Sequence, residues 1–154
     1  MNSFHFEEGS LELLNHCDRL WELFIKNQIQ NAGEMSPGVE EYIQSLQNGG
    51  LCEKTKDGKL YVQLIHADEE KEAIGFCVAS LTKNKVGEVE AIYVIDRYQG
   101  NKFGSKLFQN AMAWMEQEKA IEQRLVVATG NENVFNFYAK YGFFPGYTTL
   151  FRAT

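Results

Sequence analysis

Apolar residues along the chain change their spacing several times, and each change marks an element. Phe4 and Phe6 alternate with polar neighbours, the two-residue period of a short strand, and Gly9-Ser10 ends it with Ser10 placed as an N-cap. From Leu11 the period lengthens. Leu13, Leu14, Cys17, Leu20, Trp21, Phe24 and Ile25 recur at three- and four-residue intervals, which predicts one helix to about Gln30, stopped by Gly33. Ser36-Pro37-Gly38, with Glu40 and Glu41 behind it, opens a second helix that carries Val39, Tyr42, Ile43 and Leu46 and ends near Asn48-Gly49-Gly50. Leu51 to Lys56 fits either a frayed turn or a short strand, and Asp57-Gly58 is a turn signal.

Three alternating runs follow, Leu60 to His66, Ala73 to Leu81 and Val86 to Ile95, joined by short polar links that predict an antiparallel meander. The acidic link 68–72 reads as a solvated hairpin tip. Phe103, Leu107, Phe108, Ala111, Met112, Trp114 and Met115 then mark a helix packed on a sheet. Arg124 to Thr129 contains four consecutive apolar residues, as in a parallel strand covered on both faces. Strand, crossover helix and strand make a right-handed βαβ unit. A last helix spans about Asn133 to Tyr141, and Tyr147 to Arg152 forms a closing strand. The whole, residues 1–154, reads as one mixed α/β domain.

Composition narrows the function classes. With 44% hydrophobic and 23% charged residues the chain is that of a soluble globular protein, and no apolar run reaches the length of a membrane span. Its N-terminus lacks the basic start and apolar core of a signal peptide, so the expected compartment is the cytoplasm. A net charge of -6 without a basic stripe argues against nucleic acid as a partner and favours cationic ligands over anionic ones. Cys17, Cys52 and Cys77 have no metal-like spacing, and Cys17 and Cys77 sit in apolar patterns as buried free thiols. His5, His16 and His66 are scattered, so no metal is expected.

Two stretches carry candidate chemistry. In the first, the apolar strand Glu88 to Ile95 runs into a turn with Gly100 and Gly104, and the turn opens a helix. Free backbone N–H groups and the positive end of the helix dipole meet there, which suits a phosphate-bearing ligand. The second runs from Gly130 to Phe143 and sets Val134, Tyr138 and Tyr141 on one helix face.

Together the two stretches resemble the GNAT superfamily of acetyl-CoA-dependent N-acetyltransferases. Gln99-Gly100-Asn101-Lys102-Phe103-Gly104 is similar to the family's pyrophosphate loop, and Asn131 through Phe137-Tyr138 to Gly142-Phe143 is similar to its late motif. Lys102 stands where the family loop has its first glycine, and Val134 where a small residue is common. The resemblance implies a central mixed sheet of about six to seven strands flanked by about four helices. It implies acetyl-CoA as co-substrate and direct transfer of the acetyl group to a primary amine in a ternary complex, without an acyl-enzyme.

It also implies site residues. Backbone atoms of Ile92, Tyr93 and Val94 hold the pantetheine arm, and the N–H groups of Gln99, Gly100, Asn101, Lys102, Phe103, Gly104 and Ser105 receive the pyrophosphate. Asn131 contacts the cofactor arm, and Tyr138 is the candidate general acid for the departing thiolate. Glu88 and Glu90 compete for the role of base. Strand alternation puts both on one face, whereas a bulge between them would send them to opposite faces. Glu90 lies nearer the expected thioester.

The acceptor is expected to face the segment from about Gln28 to Met35, with Trp21, Phe24 and Tyr42 as candidate walls. The acidic balance points to a small cationic amine, such as a polyamine or aminoglycoside, with a peptide amine as the other option. Edge strands offer a route to a homodimer. Two other classes remain open: a non-catalytic acyl-CoA-binding or sensor module on the same fold, and an unrelated phosphate-binding regulator.

Overall fold

β1 (Phe4–Gly9), β2 (Lys59–Ala67), β3 (Gly75–Leu81) and β4 (Val86–Val94) pair antiparallel in that spatial order, and β5 (Glu122–Leu125) joins β4 in parallel. The computed structural model describes residues 3–47 and 49–152; Asn48, at the expected end of the second helix, and the side chain of Ser36, its expected N-cap, lie outside the described residues. The meander expected over 60–95 is present as β2, β3 and β4. All seven residues of β3 are buried, because it has a strand on each side and helices on both faces.

Six α-helices accompany the sheet: α1 (Leu11–Leu14), α2 (Asp18–Ala32), α3 (Ser36–Leu46), α4 (Gly50–Lys54), α5 (Phe103–Gln117) and α6 (Phe135–Ala139). Helix α5 covers one face through the fully buried Leu107, Phe108, Ala111 and Met115, and Trp114 stacks on Tyr61 of β2 at 5.1 Å. A polar peg fixes its position. Gln63 of β2, fully buried, donates from Nε2 to the Leu107 carbonyl at 2.9 Å and accepts from Asn110 Nδ2 at 2.9 Å. Helices α1 to α3 cover the opposite face, where Trp21 and Phe24 pack on Phe76.

The elements depart from the sequence expectation in four places. The helix expected from Leu11 to about Gln30 is two helices, because His16 N–H bonds Leu13 C=O and Cys17 N–H bonds Leu14 C=O in tight three-residue turns. The buried stripe of Leu13, Cys17, Leu20 and Trp21 continues across that break, which is why spacing alone hides it. Residues 51–56 contribute to a short helix, not a strand. The apolar run 124–129 is strand only as far as Leu125, and Val126 is 53% exposed, so it is not covered on both faces. Residues 147–152 join no ladder; Tyr147 and Leu150 are exposed and the Phe151 ring lies close over Gly38 of α3. Among the described residues the sheet therefore has five strands, not six or seven, and the helices number six, not four. A strand exists only where a partner edge meets it, and β4 offers β5 just four residues of edge. No helix among the described residues is long and apolar enough to cross a membrane.

Candidate active site

Strand β4 is paired on both sides only at its beginning. Val86 to Val89 pair with Glu122 to Leu125 of β5, whereas β3 stays paired with β4 as far as Val94. The register against β3 slips where Val78 faces Ala91 and Ala79 faces Val89, which leaves Glu90 as the extra residue of a bulge. Beyond it the edge of β4 that faced β5 carries no ladder, and a cleft of about 610 Å³ opens between the strands. Ile92, Tyr93 and Val94 line one wall; Leu125, Val126 and Val127 line the other. An unpaired strand edge exposes N–H and C=O groups in a row, ready for an extended ligand that carries amides.

Helix α5 starts at the end of this cleft. A 3-10 turn over Asp96–Tyr98 reverses the chain, with Tyr98 buried and its hydroxyl donating to Glu69 at 2.5 Å. Gln99 donates to the Val94 carbonyl at 2.8 Å and Asn101 to the Tyr98 carbonyl at 2.9 Å, so both side chains shape the loop. Gly100 has φ +86°, and a Cβ there would meet open space, so glycine is required by conformation and not by crowding. Lys102 has φ +63° and ψ +18°, the left-handed conformation that glycine adopts at lower cost. The loop geometry is thus kept without the glycine. The first intrahelical bond runs from Lys106 N–H to Lys102 C=O at 3.1 Å, and no side chain caps the helix. Phe103, Gly104 and Ser105, which line the cleft, therefore bring uncapped N–H groups and the positive end of a 15-residue helix to it. Gly100 and Lys102 line the same cleft; Asn101 does not.

The late stretch closes the other side. Asn131 caps a 3-10 turn over Glu132–Val134 with its backbone, makes no side-chain cap bond and lines the cleft. Gly130, with φ +95°, lets the loop pass against the Asn31 carbonyl of α2, where a Cβ would lie 1.9 Å from that oxygen. Tyr138 of α6 packs on Phe108 at 5.0 Å and faces the cleft, with no hydrogen bond to its hydroxyl among the described residues. Burial, with a smaller contribution from Cys77, pushes its pKa up to about 12, so it stands as a neutral phenol donor at ordinary pH.

The two acids differ sharply. Glu88 is 2% exposed and both of its carboxylate oxygens are held: Lys54 Nζ at 3.0 Å and Arg124 Nε at 2.9 Å reach Oε1, and the Tyr42 hydroxyl donates to Oε2 at 3.1 Å. Burial alone would raise its pKa, but Lys54 and Arg124 hold it below the ordinary range. Glu90 accepts from Lys54 Nζ through Oε1 and from Ser80 Oγ at 3.3 Å, while its buried Oε2 has no hydrogen-bond partner among the described residues. Burial first, and then the charge of Glu88, push its pKa up to about 7 despite the opposing pull of Lys54. Lys54 bridges both carboxylates, so the bulge does not send them to opposite faces. Glu90 lines the cleft and Glu88 does not. No group of three or more His, Cys, Asp or Glu side chains among the described residues is arranged to hold a metal ion.

The family model for the acetyltransferase (GNAT) family matches residues 18–143, which include α2, the whole of β2 to β5, the α5 loop and the Tyr138 helix. The chain belongs to that family. Solved GNAT structures share the fold over nearly its full length. A GCN5-related N-acetyltransferase from Ralstonia eutropha JMP134 is 12% identical with a TM-score of 0.66, covering 98% of this chain and 99% of its own. The aminoglycoside N-acetyltransferase AAC(6')-Iy, solved in complex with CoA, is 15% identical with a TM-score of 0.61, covering 100% of this chain and 96% of its own. Glucosamine-6-phosphate N-acetyltransferase from Arabidopsis thaliana is 14% identical with a TM-score of 0.60, covering 98% of each chain. No curated protein matches the sequence.

In this GNAT domain, α2 supplies the roof of the cleft. Phe24, Asn27, Gln28 and Asn31 line it at helical spacing, so of the segment from Gln28 to Met35 only Gln28 and Asn31 line this cleft, and the lining begins a turn earlier at Phe24. Phe24 is a cleft wall as well as a core contact, whereas Trp21 is core and Tyr42 is a ligand of Glu88. Sequence reading passed over Lys54, Arg124 and Ser80, because ion pairs and hydrogen bonds across the fold leave no local signal. Of the α2 stripe, Phe24 and the segment from Gln28 were expected and Asn27 was not, because its polar position is submerged in the apolar pattern of the same helix.

Proposed function

We propose that this GNAT-family chain is an acetyl-CoA-dependent N-acetyltransferase that acts on a primary amine by direct transfer. One observation carries the reading. The uncapped N-terminus of α5, the unpaired edge of β4, the unpartnered Tyr138 hydroxyl and Glu90 all belong to the wall of a single cleft. That set fits the co-substrate. Backbone N–H groups of Phe103, Gly104 and Ser105 suit its phosphates, with the Lys102 ammonium nearby, and the free edge from Ile92 to Val94 suits the amides of its arm. When bound, acetyl-CoA supplies an acyl thioester open to attack by a neutral amine.

The chain's own residues manage the protons. An acceptor arrives as an ammonium and must lose a proton. Glu90 has a carboxylate poised near neutrality, and because its side chain is sealed the proton reaches it through water in the cleft, not by direct contact with the amine. Glu88, held below the ordinary carboxylate range with a donor on each oxygen, supplies fixed charge beside Glu90 and does not line the cleft. Tyr138 offers the cleft a neutral O–H suited to protonating a thiolate. The Val94 end of the strand presents backbone groups where a thioester oxygen needs a donor.

Release of free thiol from acetyl-CoA across a panel of amines, with cofactor binding measured in parallel, tests the reading. Turnover on at least one amine is the expected result. Binding of the cofactor without turnover on any amine assigns the scaffold to an acyl-CoA sensor instead, and no binding removes both.

A further inference from the structure

On α2, Gln28 is 9% exposed and its carboxamide has no hydrogen-bond partner among the described residues. Among the described residues the fully sealed and unpartnered side-chain atoms are Trp21 Nε1 and Glu90 Oε2; the Gln28 carboxamide is not sealed in this way, and the residue lines the cleft. Water in the cleft can meet such an amide, and a ligand that displaces this water must supply hydrogen bonds of its own or leave the amide unmet at a cost. Asn27 and Asn31 lie one turn apart on the same wall and bond each other, Asn31 Nδ2 to Asn27 Oδ1 at 3.4 Å. Phe24 completes this wall as its apolar floor.

The charges around the cleft are as informative as the amides. Its charged lining residues are Glu90, already matched by Lys54, and Lys102 at the far phosphate-binding end. Beyond the reacting nitrogen, therefore, the α2 wall holds no spare carboxylate for a second ammonium. The net charge of -6 draws cations to the surface in general, but the wall itself is neutral and hydrogen-bonding.

Resting on the acetyltransferase reading, we infer that the acceptor is a primary amine flanked by uncharged hydrogen-bonding groups, such as a polyhydroxylated amine, and that Gln28 is the residue that selects it over a linear polyamine. A wall built to hydrogen-bond a hydroxyl discriminates strongly, because a ligand without that hydroxyl leaves the amide unmet.

The test compares glucosamine with 1,4-diaminobutane as acceptors for the wild type, Gln28→Leu and Gln28→Glu. The wild type is expected to favour glucosamine in kcat/KM. Gln28→Leu should lower the glucosamine-to-diamine ratio about tenfold, the size of one or two lost hydrogen bonds. Gln28→Glu should shift the ratio further toward the diamine, since it supplies the missing carboxylate. A wild-type preference for the diamine, or a ratio unmoved in both variants, overturns the inference. So does a raised acetyl-CoA KM with equal losses for both acceptors, which would assign Gln28 to the cofactor arm. If no amine is turned over, the acetyltransferase reading fails on its own. The wall is then judged by the side-chain amide resonance of Gln28 during titration with glucosamine: a saturable shift absent with the diamine supports it, and no shift overturns it.

Discussion

Before the bulge at Glu90, β4 is paired on both sides, and its carboxylates are tied to Lys54, Arg124, Tyr42 and Ser80. Past it, the strand keeps β3 and loses β5, and the open cleft is walled by backbone, an uncapped helix end and a free phenol. The open half offers main-chain groups that almost any residue can supply; the other depends on specific side chains meeting in a buried cluster. Substitutions should therefore act differently in the two halves. In the open half they change chemistry or affinity and leave the fold intact. In the closed half they unsettle a charge balance on which stability and protonation both depend.

The largest effect is expected at Tyr138, in the open half. Tyr138→Phe removes a hydroxyl that no group among the described residues bonds, so the fold should lose little. General-acid catalysis contributes about 10² to 10⁴ in rate, so the maximal rate should fall by roughly a thousandfold while acetyl-CoA binding stays within a few fold. Steady-state kinetics beside a binding isotherm check this. Equal losses in both would make Tyr138 part of the packing around Phe108 and erase the contrast.

Lys54→Met should do the reverse and strike stability. It leaves Glu88 and Glu90 facing each other in a buried site with Arg124 as the remaining cation, at a cost of about 3 kcal/mol. The sign with pH follows from the two acids. Glu90 is raised from the ordinary value of 4.5, so the folded state binds the extra proton and loses stability as pH rises between that value and about 7. Removing Lys54 raises Glu90 further and widens that window. Glu88 is held low, so its contribution is present above the ordinary carboxylate range and is lost on acidification. Urea unfolding at pH 6 and pH 8 should therefore show the larger Lys54→Met penalty at pH 8. A penalty independent of pH would mean that Lys54 acts by packing alone.

These halves were unequally legible in the sequence. The open half is local. Gly100, the end of the strand before it and the start of the helix after it lie within twenty residues, and Tyr138 sits in a compact second motif, so their spacing is visible locally. Lys102 was the visible departure, and its backbone answers it by taking up the conformation a glycine would have. The closed half is non-local. Lys54 meets Glu90 across 36 residues and Tyr42 meets Glu88 across 46, with no periodicity linking them. The bulge was foreseeable as an option, but which side of the sheet Glu90 would occupy depended on the Lys54 and Ser80 contacts. Residues 147–152 failed for the opposite reason: their alternation is real, yet strand formation needs a partner edge, and none of the described residues supplies one.

Glu90→Gln joins the two halves, because Glu90 belongs to the buried cluster and lines the cleft. Rate near pH 7 should fall about a hundredfold, with recovery at high pH where the amine deprotonates unaided. In the parent, kcat/KM should rise through about pH 7 as the carboxylate forms, because the base acts only when ionised. An unchanged pH profile in the variant would remove Glu90 as base and leave the closed half purely structural.

The smallest expected effect separates charge from backbone at Lys102. Holding a lysine at φ +63° costs about 1 kcal/mol relative to glycine, so Lys102→Gly should gain part of that in stability, less the added chain entropy of the unfolded state. The same change deletes an ammonium from the α5 end of the cleft. Coenzyme A affinity should then weaken a few fold at low salt and converge with the parent at high salt, where an exposed charge is screened. A loss of affinity that persists at high salt would mean that the lysine shapes the loop as well as charging it. Recognition in the open half would then depend on a particular side chain after all, as it does on the other side of the bulge.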